Sequence, residues 1–183
     1  MFSARIGWVL LLLVTLLTLA GCGDNLFPSG DDKRPAVQPG TTGPAVGQTA
    51  PGFSVSDMNG NTVSLASSLA GRKGTVFYFT MWCSICDSEM NNIQTTIVPQ
   101  FPGVGFYLVD YVSGSVADAA AAATADGYAG GVFSILADTG HVLLNNFQGT
   151  MGTTVVVDAS GIIRMNEDYK DGTRLQSTLS ALP

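Results

Sequence analysis

The sequence predicts an α/β fold, with a mixed central sheet, helices on both faces and an N-terminal β-hairpin. Three observations carry this. Two short apolar runs, 75–80 (TVFYFT) and 104–109 (VGFYLV), lack polar alternation and so read as strands buried on both faces. Segments with helical spacing follow them, and right-handed crossovers through such segments make the middle strands parallel and central. Tight turns at Asn59-Gly60 and across 158–161 mark hairpins on either side of this middle.

Taken in order, residues 53–56 and 61–65 are the arms of the first hairpin, around Asp57-Met58-Asn59-Gly60. Strand 75–80 comes next. Beyond it the apolar side chains fall at Cys86, Met90, Ile93 and Ile97, a spacing that forms one helical stripe, and Pro99 stops its continuation. After strand 104–109, residues 115–126 are alanine-rich with Ser115 as a candidate N-cap, which suits a helix. Residues 133–137 are a third strand, followed by a segment of ambiguous period through Phe147. Residues 153–157 and 161–165 flank the turn Asp158-Ala159-Ser160-Gly161 as a second hairpin, and 172–182 suits a closing helix. No internal repeat is visible.

The first 22 residues read as an address. Arg5 supplies a positive charge, and residues 6–19 are an almost unbroken apolar run. That run is shorter than the ~20 residues of a spanning helix but suits a signal peptide. It ends in Leu19-Ala20-Gly21-Cys22, which resembles a bacterial lipobox. The resemblance implies a lipoprotein signal peptide at 1–21, with Cys22 as the lipidated N-terminus. The expected location is extracytoplasmic, anchored to a bacterial membrane on its periplasmic side. Residues 23–47 carry four prolines and five glycines without apolar periodicity. Such a segment cannot bury enough surface to offset its ordering entropy, so 22–47 is expected to be a lipidated flexible linker. Residues 48–183 remain as one domain, enough for a single core.

The net charge is −6, and the basic residues of the domain (Arg72, Lys73, Arg164, Lys170 and Arg174) form no run and no aromatic platform. Nucleic-acid binding has nothing to rest on. The cysteine count is more informative. With Cys22 committed to lipid, Cys83 and Cys86 have only each other, and an oxidising compartment permits a disulfide between them. A structural zinc site needs four ligands, which His141 alone cannot complete.

A buried strand ending in aromatic-Thr-x-Trp-Cys-x-x-Cys and leading into a helix (YFTMWCSICDSEM, 78–90) resembles the thioredoxin superfamily. The flanking residues narrow this. Pro51, Phe53, Gly60, Leu69, Gly71, Trp82, Cys83, Cys86 and Glu89 stand where the TlpA-type reductases of cytochrome c maturation have their motif residues. The resemblance implies a thioredoxin-like fold and a thiol–disulfide oxidoreductase acting on protein cysteines, with a membrane electron-transfer partner and no cofactor. It also implies that Glu89 takes the Cys86 proton or shifts a thiol's titration; the other reading is a solvated helix charge. Trp82 packs beside the cysteines by the resemblance, or is simply core. A helix starting near Cys83 favours its thiolate, lowering its pKa below the ~8.5 of a free thiol. Cys86, one turn in, should be more buried and less ionised. Cys83 is then the attacking thiol and Cys86 the resolving one.

One departure stands out. The superfamily places a cis-proline opposite the cysteines, and the matching stretch here, GTMGTTVVVD, has Gly152 at that place between Met151 and Thr153. A cis bond before a non-proline residue costs about 2.5–4 kcal/mol, so an altered loop is expected, with a weaker substrate-docking edge at Met151. Met81, Met151, Cys83 and Cys86 then form a possible soft-ligand set for Cu(I), against a reading of both methionines as gap-filling core. His141 is expected to be solvated in a surface turn. Thr80 lies three residues before Cys83 as in peroxiredoxins, but their preceding proline is absent. Besides the oxidoreductase, two alternatives stand: a Cu(I)-handling protein using the same dithiol, and a redox-inactive binding module.

Overall fold

The structure, a computed structural model, describes residues Val37–Pro183. The expected signal peptide, Cys22 and the first part of the linker lie outside the described residues. The elements are β1 (Ser54–Asp57), β2 (Thr62–Ser64), α1 (Leu65–Leu69), β3 (Gly74–Thr80), α2 (Ser84–Asn92), β4 (Val104–Asp110), α3 (Val116–Ala125), β5 (Ser134–Ala137), α4 (Val142–Phe147), β6 (Thr153–Asp158), β7 (Ile163–Asp168) and α5 (Thr173–Ser180).

They form one seven-stranded sheet in the order β2-β1-β5-β4-β3-β6-β7. β3, β4 and β5 are parallel, as the two crossovers require, and the remaining pairings are antiparallel. The first hairpin turns where expected: the Asp57 carboxylate accepts from the Asn59 and Asn61 N–H groups, and Gly60 takes φ +82°, which a side chain disfavours.

All seven residues of β3 and of β4 are buried. Alternation along them divides the interior into two cores. Val76, Tyr78, Phe106, Leu108 and Ile135 face α2, α3 and α5, meeting Cys86, Met90, Ile93, Ile97, Ala123, Leu175 and Leu179. Phe77, Phe79, Tyr107, Val109 and Leu136 face the other way, toward α1, α4 and Phe53. Each fully buried large apolar side chain stabilises the fold by about 1.5–3 kcal/mol, so both faces of the sheet are held by hydrophobic burial. The parallel register aligns Gly74 with Val104 and Thr80 with Asp110, bringing the C-terminal ends of β3 and β4 level. The turn into α2 leaves from that edge.

Two details differ from expectation. The stripe Cys86–Met90–Ile93–Ile97 is buried as predicted, but the helix widens into a π-helical turn at Ile93–Ile97 and tightens into a 3-10 turn at Val98–Gln100. Pro99 has no N–H with which to continue the regular ladder. The packed chain also begins ahead of residue 48. Thr42 bridges Thr49 and Thr49 bridges Ile162; Gly47 N–H donates to the Ile163 carbonyl, and Asn166 Nδ2 donates to the Pro44 carbonyl. This strap fixes 42–49 against the start of β7. Among the described residues no helix is long and apolar enough to cross a membrane.

Candidate active site

Cys83 is the N-cap of α2, with extended backbone (φ −95°, ψ 164°), and its Sγ accepts from the Cys86 N–H at 3.2 Å. A sulfur thus occupies the place where the first-turn N–H groups lack partners and the helix dipole is positive. Cys83 is half-buried, whereas Cys86 is fully buried on the apolar stripe. Both are free thiols with sulfurs 2.6 Å apart, so a small rotation brings them to the 2.03–2.05 Å of a disulfide. A hollow of about 320 Å³ lined by Trp82, Cys83, Ser84, Asp87 and Asp126 opens on Cys83.

Trp82 is held from both ends in a left-handed conformation (φ 57°) that non-glycine residues seldom adopt. Its backbone N–H donates to Thr80 Oγ1 at 3.0 Å and its indole N–H to Asp110 Oδ2 at 2.8 Å. The buried Asp110 carboxylate also accepts from the Val112 and Ser113 N–H groups and the Ser113 hydroxyl, so its desolvation is compensated. Trp82 is partly buried against the core and lines the hollow together with Cys83.

Glu89 is half-buried rather than solvated. It accepts the Tyr78 hydroxyl at 2.6 Å, and its Oε2 stands 3.3 Å from where a Cβ on Gly152 would be. Burial, that hydrogen bond and the nearby Glu89 charge hold the Tyr78 phenol far above its ordinary pKa. Burial and Glu89 also raise the neighbouring Tyr169, to about 12.

Burial disfavours the thiolate of Cys86. Hydrogen bonds from the Cys83 thiol, the backbone of Met81 and Cys83, and the Thr80 hydroxyl outweigh it and set the Cys86 thiol below its ordinary pKa. The two sulfurs differ in access: only half-buried Cys83 can meet a partner.

The opposing loop carries Met151, Gly152 and Thr153. No cis peptide bond occurs among the described residues, and Gly152 has φ +80°. Its N–H donates to the Phe79 carbonyl and its carbonyl accepts from the Tyr169 N–H, so a proline here would lose one of the two ties. Thr153, buried, braces the loop through Oγ1, which accepts from the Thr150 N–H and lies 3.3 Å from Asp168 Oδ1. Met151 places its Sδ 3.4 Å from Cys83 Sγ. It is 38 % exposed and Met81 43 %, so neither methionine is the gap-filling core residue that one reading expected.

The structure therefore brings Trp82, Cys83, Cys86 and Met151 together, with Glu89 and Gly152 meeting beside them. His141 does not join them. It is exposed, left-handed (φ 54°) and has Nε2 2.9 Å from the Tyr111 carbonyl. Tyr78 and Asp110 escaped the sequence reading as functional, and Thr80 entered it only through its peroxiredoxin-like spacing from Cys83. Their signal was polarity at the sheet-facing or terminal positions of otherwise apolar strands that end beside the cysteines. Among the described residues no group of three or more His, Cys, Asp or Glu could hold a metal ion.

Comparison with known proteins speaks to the fold. The chain is similar to the thioredoxin domain of a thiol-disulfide oxidoreductase from Bacteroides vulgatus (25 % identity, covering 74 % of this chain and 96 % of that one, TM-score 0.58). It is similar to MTB dsbF, seen in mixed oxidized and reduced forms (24 % identity, 72 % and 95 % covered, TM-score 0.58). It is also similar to the peroxidoxin BcpB from Mycobacterium tuberculosis (18 % identity, 75 % and 95 % covered, TM-score 0.59). These likenesses establish a thioredoxin-like fold. No curated protein matches the chain. Residues 46–166, well over half of the sequence, match the AhpC/TSA family, and the chain belongs to that family.

Proposed function

We propose that this protein is a thiol–disulfide oxidoreductase acting on cysteines of other proteins. The observation that carries the reading is the asymmetric pair: an accessible Cys83 sulfur capping α2, 2.6 Å from a buried Cys86 sulfur. The Cys83 thiolate attacks one sulfur of a substrate disulfide, whose other sulfur leaves as a thiolate. The Cys86 thiolate then attacks Cys83 Sγ and releases the substrate's second thiolate. The substrate gains two electrons, and the pair becomes a disulfide. Glu89, the carboxylate beside this centre, receives the proton that Cys86 gives up.

The TlpA-type resemblance extends the proposal. The domain is tethered by lipid on Cys22 outside the cytoplasm, a membrane electron donor returns Cys83 and Cys86 to thiols, and cytochrome c maturation is the process served. Two measurements test it. With Cys86→Ser, mixed disulfides between Cys83 and substrate proteins should accumulate; a chain that traps none, and whose pair does not turn over insulin disulfides, sinks the activity. The potential of the pair sets direction. A value near thioredoxin's, about −270 mV, fits a reductase; one near −120 mV makes the protein an oxidant and removes the maturation reading. Peroxide consumption faster than disulfide exchange would place the chain with the peroxidases instead.

A further inference from the structure

Three sulfurs from two separate segments meet at the start of α2. Cys83 Sγ lies 2.6 Å from Cys86 Sγ and 3.4 Å from Met151 Sδ. Met151 is presented across the site by the 150–153 loop, which the Gly152 backbone ties to Phe79 and Tyr169. Its exposure means that packing does not explain its place. A thioether is a weak acceptor and gives a thiol little as a hydrogen-bond partner, but it is a good ligand for a soft metal.

We propose that the reduced pair and Met151 form a three-sulfur site for a soft monovalent cation of the Cu(I) class. The donor set decides the class. Thiolate and thioether ligands select Cu(I), while oxygen ligands suit hard cations. Zn(II) takes four ligands in structural sites, and the described residues offer no such set of His, Cys, Asp and Glu. Sulfurs held at ~2.3 Å from one metal stand ~4 Å apart. The three must therefore spread, chiefly by rotation of half-exposed Cys83 and of unbranched, exposed Met151. Binding is an exchange: the cation enters and the two thiol protons leave to solvent, with no electrons moved. The disulfide form has no thiolate to offer, so cation binding and disulfide exchange compete for the same sulfurs.

The test uses the reduced full chain without oxygen and Cu(I) alone, in competition with bicinchoninate, with the sulfur number read by X-ray absorption. One equivalent held by three sulfurs is expected. Met151→Leu should leave two sulfurs and weaken binding about tenfold, equivalent to 1.4 kcal/mol. Met81→Leu changes an exposed thioether whose residue reaches Cys86 only through its backbone, and should stay within about twofold of the parent. Equal sulfur numbers in the parent and Met151→Leu would overturn the site, as would equal losses in both methionine variants, retention of Cu(I) by the oxidised chain, or displacement of Cu(I) by equimolar Zn(II). Failure of the oxidoreductase reading shows separately, as an absence of trapped mixed disulfides, and leaves this titration unchanged.

Discussion

Phe77 and Phe79 leave strand β3 on one face; Val76, Tyr78 and Thr80 leave it on the other. All five are between 0 and 1 % exposed, so burial does not distinguish them. What differs is how they are held. Phe77 lies among rings, with Phe53, Tyr107 and Phe147 centroids at 5.4, 5.5 and 5.9 Å. Across the sheet, the Tyr78 hydroxyl is committed to Glu89 and Thr80 Oγ1 to Trp82 and the Cys86 thiol. One face supplies stability through area. The other uses hydrogen bonds, each worth only about 1 kcal/mol net, to poise two sulfurs. A single strand can separate these tasks because its side chains alternate.

The largest effect should come from the ring face. Phe77→Ala removes a fully buried ring from a close-packed core and should cost about 3–5 kcal/mol in denaturant unfolding. The reactivity of Cys83 toward iodoacetamide should hardly change; a large change would mean that the faces are coupled. Thr80→Val should do the opposite. It removes a hydrogen bond that favours the Cys86 thiolate, so the ultraviolet thiolate absorbance should rise only at a proton concentration about five- to tenfold lower, for a bond worth ~1–1.4 kcal/mol. Unfolding free energy should fall less than for Phe77→Ala.

The smallest effect is one of pH. Because the Cys86 thiol is held below its ordinary value in the fold, the unfolded chain binds more protons between the folded and unfolded pKa values. The reduced protein should therefore gain stability as pH rises through that window and lose it as pH falls through the folded pKa. The disulfide form should lack this window. If the two forms run parallel from pH 5 to 9, the hydrogen bonds of the polar face do not favour the thiolate.

Both hairpins, the parallel strands and the buried stripe of α2 were legible because their signals are local: turn residues, apolar runs and helical spacing. The Cys83/Cys86 pair was legible for the same reason. Contacts across long separations were not. Nothing local ties Trp82 to Asp110, 28 residues on, or Met151 to Cys83, 68 residues back. The short helices were not legible as helices, for another reason. α1 is five residues long and is started by a Ser64–Ser67 capping box, too brief to show a period. α4 is started from a distance: the buried Asp138 carboxylate accepts the N–H groups of Val142, Leu143 and Leu144, while His141 turns left-handed between them. The composition of 42–47 suggested a chain without partners. Its partners are backbone groups near residue 163, which composition cannot reveal.

That strap has a consequence for how the molecule meets its own kind. β7 is the last strand of the sheet, and a terminal strand offers unpaired N–H and C=O groups to any passing extended chain. Gly47 and Gln48 occupy those groups at Ile163, and Ala50 does the same at Gly161. The proline- and glycine-rich segment thus acts as a guard on the sheet edge. Trimming the protein back to residue 48 would remove part of that guard, leaving the start of β7 open to pairing with another copy.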